Sequence, residues 1–260
     1  MKIVEKKVKR ILGESKVADY TINPYVGCQH ACFYCYAEYY MRKKLKIREW
    51  GNFVFVKVNA AETLEREVKN KKRGWVWLSS FTDPYQPIEE KYGITRKILE
   101  VLLRNNWPVI VQTKSSLVLR DLDLLKNFEN LEVGLTVNML DEDLRRKVEP
   151  FSSSIEERLE TLEKLKKEGI ETYLFVGPLL FPLVEFKEIE ELIEWGLKKC
   201  DKVYVDKFRV KLGLVKKWEK FVEENFRIKG WRNIITSDVF WKKVKETLKE
   251  KFDEEIVLLF

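Results

Sequence analysis

Short β-rich runs alternate with amphipathic helical stretches along most of this chain, and this alternation limits its fold more than any other feature. Apolar periodicity predicts the two kinds of element. The predicted strands are 20–24, 53–58, 75–79, 109–113, 131–137, 172–176 and 202–205, and the predicted helices are 61–70, 95–104, 122–127, 154–168 and 188–199. Strand followed by helix, repeated five or six times, requires parallel strands joined by right-handed crossovers. We therefore predict an α/β fold, a partial (β/α)6 TIM-type barrel with short terminal extensions.

The length of 260 residues suits one sizeable core. We expect an N-terminal extension over 1–15, a barrel core over 16–215 and a C-terminal extension over 216–260 that packs on the barrel. Local signals support one boundary in particular. Ser153 or Ser154 before Glu156 and Glu157 is an N-cap pattern, and Gly169 is a C-cap for the same helix.

The chain carries a net charge of +7, with 49 Lys and Arg against 42 Asp and Glu. Much of this charge lies in Lys- and Glu-rich helical runs, which are typical of the surface ion-pair networks of heat-adapted proteins. Local basic clusters lie at 42–44, 71–73 and 207–217. The diffuse excess permits a nucleic-acid partner without requiring one.

Cysteine use indicates the compartment. Four cysteines in 260 residues form no disulfide framework. The sequence shows neither a secretory signal nor an apolar stretch of about 18 residues, the length that a membrane-spanning helix needs. We expect a cytoplasmic monomer without membrane contact, because an oxygen-sensitive metal centre survives in a reducing compartment.

Three of those cysteines, Cys28, Cys32 and Cys35, share one loop with the spacing C-x3-C-x2-C. Soft thiolates select zinc, Cu(I) or iron–sulfur clusters, and a structural zinc site would normally have a fourth Cys or His ligand. His30 lies only two residues from two of the cysteines, so we interpret it as a hydrogen-bonding neighbour. Cys200 is distant and is interpreted as a small buried residue. A cubane cluster bound through three of its irons fits the count better and leaves one iron for a ligand that is not protein.

Polar runs follow several predicted strands, as they do at the catalytic face of parallel barrels. The cysteine loop follows the strand at 20–24. Further polar runs lie at 79–87, 113–116 and 136–138. We expect all four to converge on one rim.

The cysteine loop, in the text Asn-Pro-Tyr-x-Gly-Cys-x-His-x-Cys-x-Tyr-Cys-Tyr-Ala, resembles that of radical S-adenosylmethionine (SAM) enzymes. The runs Val-Lys-Val-Asn-Ala at 56–60, Thr-Asp-Pro-Tyr-Gln-Pro at 82–87, Thr-Lys-Ser at 113–115, Leu-Arg-Asp-Leu-Asp-Leu-Leu at 119–125 and Glu-Pro at 149–150 are similar to the spore photoproduct lyase-like branch. The resemblance extends from about residue 15 to 185. It implies a [4Fe–4S] cluster on the three cysteines, with SAM chelating the fourth iron.

The resemblance also implies roles for other residues. Thr82 and Asp83 would meet the methionyl amino group, and Lys114 would pair with the SAM carboxylate. Thr136, with Asn138, would lie near the ribose, and the backbone at Tyr34 near the adenine. Each has an ordinary alternative: a solvated lysine, a turn cap or a packing residue.

The implied reaction is one-electron reduction of the cluster by an external donor, then cleavage of SAM to methionine and a 5′-deoxyadenosyl radical that abstracts hydrogen from a substrate. Tyr36 and Tyr85 are candidate catalytic residues that would relay a hydrogen atom. A second hypothesis is a non-catalytic metal-binding module, with structural zinc or a cluster, that binds nucleic acid.

One departure from the branch limits the substrate. Where spore photoproduct lyase carries its hydrogen-donating cysteine, this chain has Ser80, whose O–H bond is too strong for that role. We therefore predict no repair of spore photoproduct by that route. The substrate stays open, although rim aromatics such as Trp75, Trp77, Phe81 and Tyr85 could stack on a base or pack in the core.

Overall fold

The structure is a computed structural model that describes residues 1–45 and 49–260. The side chains of residues 44 and 45, including one lysine of the basic cluster at 42–44, lie outside this description. The strands of the described chain are β1 (Lys2–Lys6), β2 (Leu12–Glu14), β3 (Tyr20–Ile22), β4 (Tyr25–Val26), β5 (Phe53–Lys57), β6 (Val76–Leu78), β7 (Val109–Thr113), β8 (Leu131–Thr136), β9 (Glu171–Val176), β10 (Lys202–Val205) and β11 (Val257–Leu258).

Helices connect these strands. They are α1 (Ala37–Leu45), α2 (Ala60–Glu67), α3 (Ile88–Tyr92), α4 (Ile94–Arg104), α5 (Leu122–Leu125), α6 (Glu142–Val148), α7 (Ile155–Lys167), α8 (Phe186–Lys199), α9 (Val215–Phe226), α10 (Trp231–Ile235) and α11 (Asp238–Phe252). Short 3-10 turns precede α5 and α9 and follow α11.

The main sheet has the order β11-β10-β9-β8-β7-β6-β3-β2. Six of its strands, β3 and β6 to β10, are parallel neighbours in chain order with helices in the crossovers. The hairpin strand β2 adds antiparallel to β3 at one edge, and β11 adds parallel to β10 at the other. The predicted partial (β/α)6 barrel is confirmed, and its six carboxyl ends face one rim.

One predicted strand, 53–58, forms as β5 but lies outside the barrel. It pairs with β1 in parallel and with β4 antiparallel in a separate three-stranded sheet. Apolar periodicity identifies a strand but not its partner, so the alternation alone could not place it. Because β4 leads directly to the cysteines, this small sheet supports the start of their loop.

The helix caps confirm the local signals. Ser154 and Glu157 form a capping box at the start of α7, and Gly169 beyond its end has a φ of +78°. The C-terminal helices pack on the barrel through large aromatic residues. Trp231 is fully buried and its indole N–H donates to the Phe181 carbonyl at 2.7 Å.

In the described residues, no helix is both long and apolar enough to cross a membrane.

Candidate functional site

Side-chain hydrogen bonds join the polar runs that follow β3 and β6. The Thr82 hydroxyl donates to the Gly27 carbonyl at 2.6 Å. The Gln86 amide accepts from the Gln29 backbone at 2.8 Å and donates to Thr82 at 2.8 Å. The loop after β6 is therefore tied directly to the cysteine loop. Asp83 accepts from Thr113 and from the Lys114 backbone, which adds the third run, and the fourth run follows β8, the parallel neighbour of β7. The predicted convergence on one rim is confirmed.

Backbone geometry fixes the entry to the cysteine loop. Gly27 has a φ of +93°, and a Cβ there would lie 2.3 Å from the Phe53 carbonyl oxygen. Only glycine fits this turn without displacing β5. Asn23 holds the neighbouring loop, because its side-chain oxygen accepts from the Phe81 backbone at 2.7 Å and its amide donates to Ser80 at 3.2 Å.

Each of the three cysteines has neighbours that favour a thiolate. Burial raises the pKa of Cys28, as do the charges of Asp83 and of Cys35 in its thiolate form, and the backbone N–H groups of His30 and Asp83 offset only part of this rise. Burial also raises the pKa of Cys35, opposed by the N–H groups of Ala37 and Glu38 in the first turn of α1. The pKa of Cys32 is raised by burial and lowered by the nearby charge of Lys114.

This donor set fits a metal centre that binds thiolates. All three cysteines are free, and the metal-free thiols stay protonated because burial outweighs the N–H donors and the lysine. Over residues 1–45 and 49–260, no three His, Cys, Asp or Glu side chains are arranged to hold a single metal ion. A cubane cluster needs no such convergence, since each cysteine binds a different iron.

Asp83 is the centre of a buried hydrogen-bond cluster. One carboxylate oxygen accepts from the Tyr85 backbone at 2.9 Å and from the Thr113 hydroxyl at 2.6 Å. The other accepts from the Lys114 backbone at 2.9 Å and faces His30 Nδ1 at 3.3 Å. Burial alone would raise the pKa of Asp83, but His30, Thr113 and Lys114 hold it at about 2. His30 is thus a hydrogen-bonding neighbour of Asp83, as interpreted from the sequence.

Lys114 presents a cation beside the cysteines. Among the described residues its ammonium forms no ion pair, and it lies 5.8 Å from the ring centroid of Tyr34. Burial lowers the pKa of Lys114, but the negative charges of Cys32 in its thiolate form, Glu149 and Asp83 raise it by more. The net shift is upward. The side chain is therefore a charged group available to an anion.

A buried network that the sequence did not predict lies behind this lysine. The Tyr34 hydroxyl donates to one carboxylate oxygen of Glu149, and the Arg158 guanidinium pairs with the other at 2.6 Å. Arg158 also donates to the Thr136 carbonyl at 2.8 Å. Glu149 and Arg158 are almost fully buried. The network joins the cysteine loop to the end of β8.

Thr136 and Asn138 both lie buried at the end of β8. The Thr136 hydroxyl accepts from the Gln112 amide at 3.2 Å. The Asn138 amide donates to the Pro178 carbonyl at 3.1 Å, whereas its side-chain oxygen is buried with no partner among the described residues. An orphaned acceptor of this kind is costly unless a ligand donates to it.

The two candidate catalytic tyrosines have different surroundings. Tyr36 is 43% exposed and its hydroxyl donates to the Ser80 carbonyl. Tyr85 is fully buried, and its hydroxyl donates to Asp121 at 3.1 Å. A substrate at the mouth of the barrel has access to Tyr36 only.

The structure also places Ser80, which departs from the branch, and Cys200, which lies outside the cysteine loop. The Ser80 hydroxyl accepts from Thr21 at 3.1 Å and from Asn23. Cys200 ends α8, is partly buried against the core and has a pKa raised to about 12 by burial. It lies in the turn between α8 and β10, at the amino end of that strand, whereas the candidate site lies at the carboxyl ends.

Arg158, Glu149 and Gln86 are site residues that sequence reasoning missed. Gln86 lies within the run at 82–87 that carries the resemblance, but the resemblance implied no role for it. Arg158 gave no signal beyond one arginine in an amphipathic helix, because its partners are distant in sequence.

Comparisons with known proteins show the family of this chain. A family model described as the Radical SAM superfamily matches residues 22–196. A relative from Methanocaldococcus jannaschii, named only as an uncharacterised protein, is 35% identical over 257 residues, which cover 96% of this chain and 95% of the relative. The radical SAM Nalpha-GlyT isomerase of Pseudomonas phage M6 is 27% identical over 66% of this chain and 35% of its own length.

A solved structure of a spore photoproduct lyase variant with bound AdoMet and dinucleoside spore photoproduct is similar in fold. Its TM-score is 0.73 at 16% identity, over 99% of this chain and 81% of that one. At this identity the likeness shows the fold alone. The family model, in contrast, covers well over half of the chain, and it confirms the resemblance found in the cysteine loop. The chain belongs to the radical SAM superfamily.

Proposed function

We propose that this protein cleaves SAM reductively at a [4Fe–4S] cluster bound by Cys28, Cys32 and Cys35, and removes a hydrogen atom from a substrate at the barrel mouth. When bound and reduced, the cluster supplies the electron that converts SAM to methionine and a 5′-deoxyadenosyl radical. The observation that carries the proposal is that three free cysteines share one loop, which hydrogen bonds tie to the loop after β6 and beside which the Lys114 ammonium lies.

The protein residues bind and orient SAM. The Lys114 ammonium, charged and without an ion-pair partner among the described residues, suits the methionyl carboxylate. The orphaned oxygen of Asn138 suits a ribose hydroxyl, with Thr136 beside it. Thr82 lies against the cysteine loop, where the methionyl amino group would lie.

Asp83 acts in this proposal as a positioning residue. Its two carboxylate oxygens already accept from three donors and face His30. It therefore fixes the Lys114 backbone relative to the cysteine loop and offers no free acceptor to SAM. Tyr34 takes part through its backbone, since its hydroxyl is bonded to Glu149.

Hydrogen-atom relay, where the reaction uses one, is assigned to Tyr36. Its exposed ring and its position directly after Cys35 support this, whereas the buried Tyr85 hydroxyl supports a structural role. The electron comes from an external one-electron donor. We further propose a monomer in the cytoplasm, where a reducing environment protects such a cluster.

The test is anaerobic reconstitution followed by metal analysis and product detection. We expect brown protein with about four irons per chain, and 5′-deoxyadenosine after reduction with dithionite and addition of SAM. Cys32→Ala should lose iron and product, while the matched control Cys200→Ala should keep both. SAM cleavage that persists in Cys32→Ala would contradict the site.

The alternative, a non-catalytic module with structural zinc, makes the opposite prediction in the same assay. Colourless protein with one tightly bound zinc and no 5′-deoxyadenosine would favour it.

A further inference from the structure

Three aromatic side chains form an exposed cluster next to the cysteine loop. Tyr36 directly precedes α1, Tyr40 lies in its first turn, and Phe81 lies in the loop after β6. The Phe81 ring centroid is 6.1 Å from that of Tyr36 and 5.3 Å from that of Tyr40, in edge-on geometry. Tyr36 is 43% and Tyr40 is 40% exposed. We name these three residues the aromatic rim.

The aromatic rim lies at the carboxyl edge of the barrel, beside the cysteine loop. Phe81 follows β6 at the carboxyl edge of the barrel, and Tyr36 follows the last cysteine directly. The bond from the Tyr36 hydroxyl to the Ser80 carbonyl fixes the orientation of the first ring. Clustered aromatic surface left in water at such a place indicates a contact with a partner molecule.

A basic segment, residues 207–217, borders the aromatic rim. It follows β10 at the same edge of the barrel and leads into α9. The Lys211 ammonium lies 5.4 Å from the Tyr40 ring centroid. Gly213 packs on the neighbouring Tyr39, because a Cβ at Gly213 would lie 3.0 Å from a carbon of that ring. The segment and the rings therefore form one continuous surface.

The charge of this segment is largely uncompensated. Arg209 pairs with Asp206 at 2.8 Å and Lys217 pairs with Glu38. The other three cations, Lys207, Lys211 and Lys216, form no ion pair with any residue in 1–45 or 49–260. Lysines on the outer helices are often paired instead, for example Lys242 with Glu246 at 3.8 Å.

We propose that the aromatic rim and the basic segment bind single-stranded nucleic acid, with an unpaired base against Tyr40 and Phe81 and the flanking phosphates on the free lysines. Exposed ring faces beside point cations match the alternation of bases and phosphates in such a strand. Duplex bases are stacked within the helix and cannot reach these rings. The inference names a substrate class for the proposed function, but the binding it describes does not require SAM cleavage.

The test measures binding of a labelled oligonucleotide of about 12 nucleotides by fluorescence anisotropy, a length within the usual site sizes for single strands. Reconstituted protein without SAM is used anaerobically at several salt concentrations. We expect Tyr40→Ala to weaken binding by about 5- to 150-fold, the usual effect of losing one stacked base. Lys211→Ala should reduce the salt dependence by about 0.7 in the log–log slope, the value for one phosphate contact.

Matched controls come from outside the aromatic rim and the basic segment. Tyr92 also has a lysine over its ring, Lys91 at 5.5 Å, and its hydroxyl donates to Glu5 on the outer sheet. Tyr92→Ala and Lys242→Ala should leave the affinity unchanged. SAM cleavage without substrate, measured in the same preparations, should be equal in wild type and Tyr40→Ala.

The outcomes separate this inference from the proposed function. Normal SAM cleavage with no oligonucleotide binding, or equal binding by Tyr40→Ala, overturns the inference alone. Binding that depends on Tyr40 without any SAM cleavage supports the inference and overturns the proposed function. Equal affinity for duplex, or tighter binding of a polyglutamate peptide at the same residues, also overturns the inference.

Discussion

Neutralising Glu149 tests the buried network behind the cysteine loop. In the native protein its carboxylate accepts from the Tyr34 hydroxyl and pairs with Arg158 at 2.6 Å. Both members of the pair are 1% exposed or less. Glu149→Gln keeps the shape of the side chain but leaves the Arg158 guanidinium buried without a counter-charge. The variant therefore isolates the charge.

The magnitude follows from burial. Removing one partner of a buried ion pair costs about 3–5 kcal/mol, because the remaining charge is uncompensated. For a chain of this size about 1 kcal/mol lowers the melting temperature by about 2–4 °C, so we expect a fall of about 6–20 °C. Removing both charges in Glu149→Gln with Arg158→Gln should recover part of the loss.

Anaerobic denaturant unfolding of the four proteins in this double-mutant cycle gives the coupling free energy. The control is Glu191→Gln, which breaks an exposed pair with Lys187 at 3.8 Å and should change stability by about 0.5 kcal/mol or less. A loss below about 1 kcal/mol in Glu149→Gln, or a coupling near zero, would refute the reasoning that this network stabilises the site.

Three further predictions follow from single residues. Lys114→Met should weaken SAM binding by about 10- to 150-fold, the effect of losing a hydrogen bond to a charged group, with iron content unchanged in the same samples. The pKa of Asp201 is lowered, because Lys166 and the Thr172 backbone outweigh burial. Its stabilising effect is therefore full above its usual pKa of 3.8 and lost as the pH falls through the lower folded value, so wild type and Asp201→Asn should converge in stability in acid unfolding series. Gly27→Ala should lose iron as well as about 1–3 kcal/mol of stability, whereas Gly169→Ala, whose φ is also positive but whose Cβ would meet no atom within 4 Å, should keep its iron.

The barrel and its rim could be predicted because the signals are local. The strand at 109–113 and the capping box at Ser154 depend on residues within a few positions of each other, and the structure reproduces both. The same holds for the convergence of the polar runs, since the ends of parallel strands must meet at one edge.

The features that the sequence did not predict depend on contacts between residues far apart in the chain. The partners Tyr34, Glu149 and Arg158 come from three separate elements, and no periodicity relates them. The strands β1 and β4 are short, and only their pairing with β5 makes them strands. Helix α1, which carries Tyr40 of the aromatic rim, was not predicted, because its residues directly follow the cysteine motif.

The small sheet of β1, β5 and β4 shapes the root of the cysteine loop. Gly27 packs on the carbonyl of Phe53 in β5, and the Lys57 ammonium donates to the Asn23 carbonyl at 2.6 Å. The root of the cysteine loop therefore takes its shape from hydrogen-bonded chain and not from a metal. For the proposed cluster we therefore expect iron to enter a loop whose root is already shaped, unlike in zinc fingers, where the ion itself drives the chain to fold.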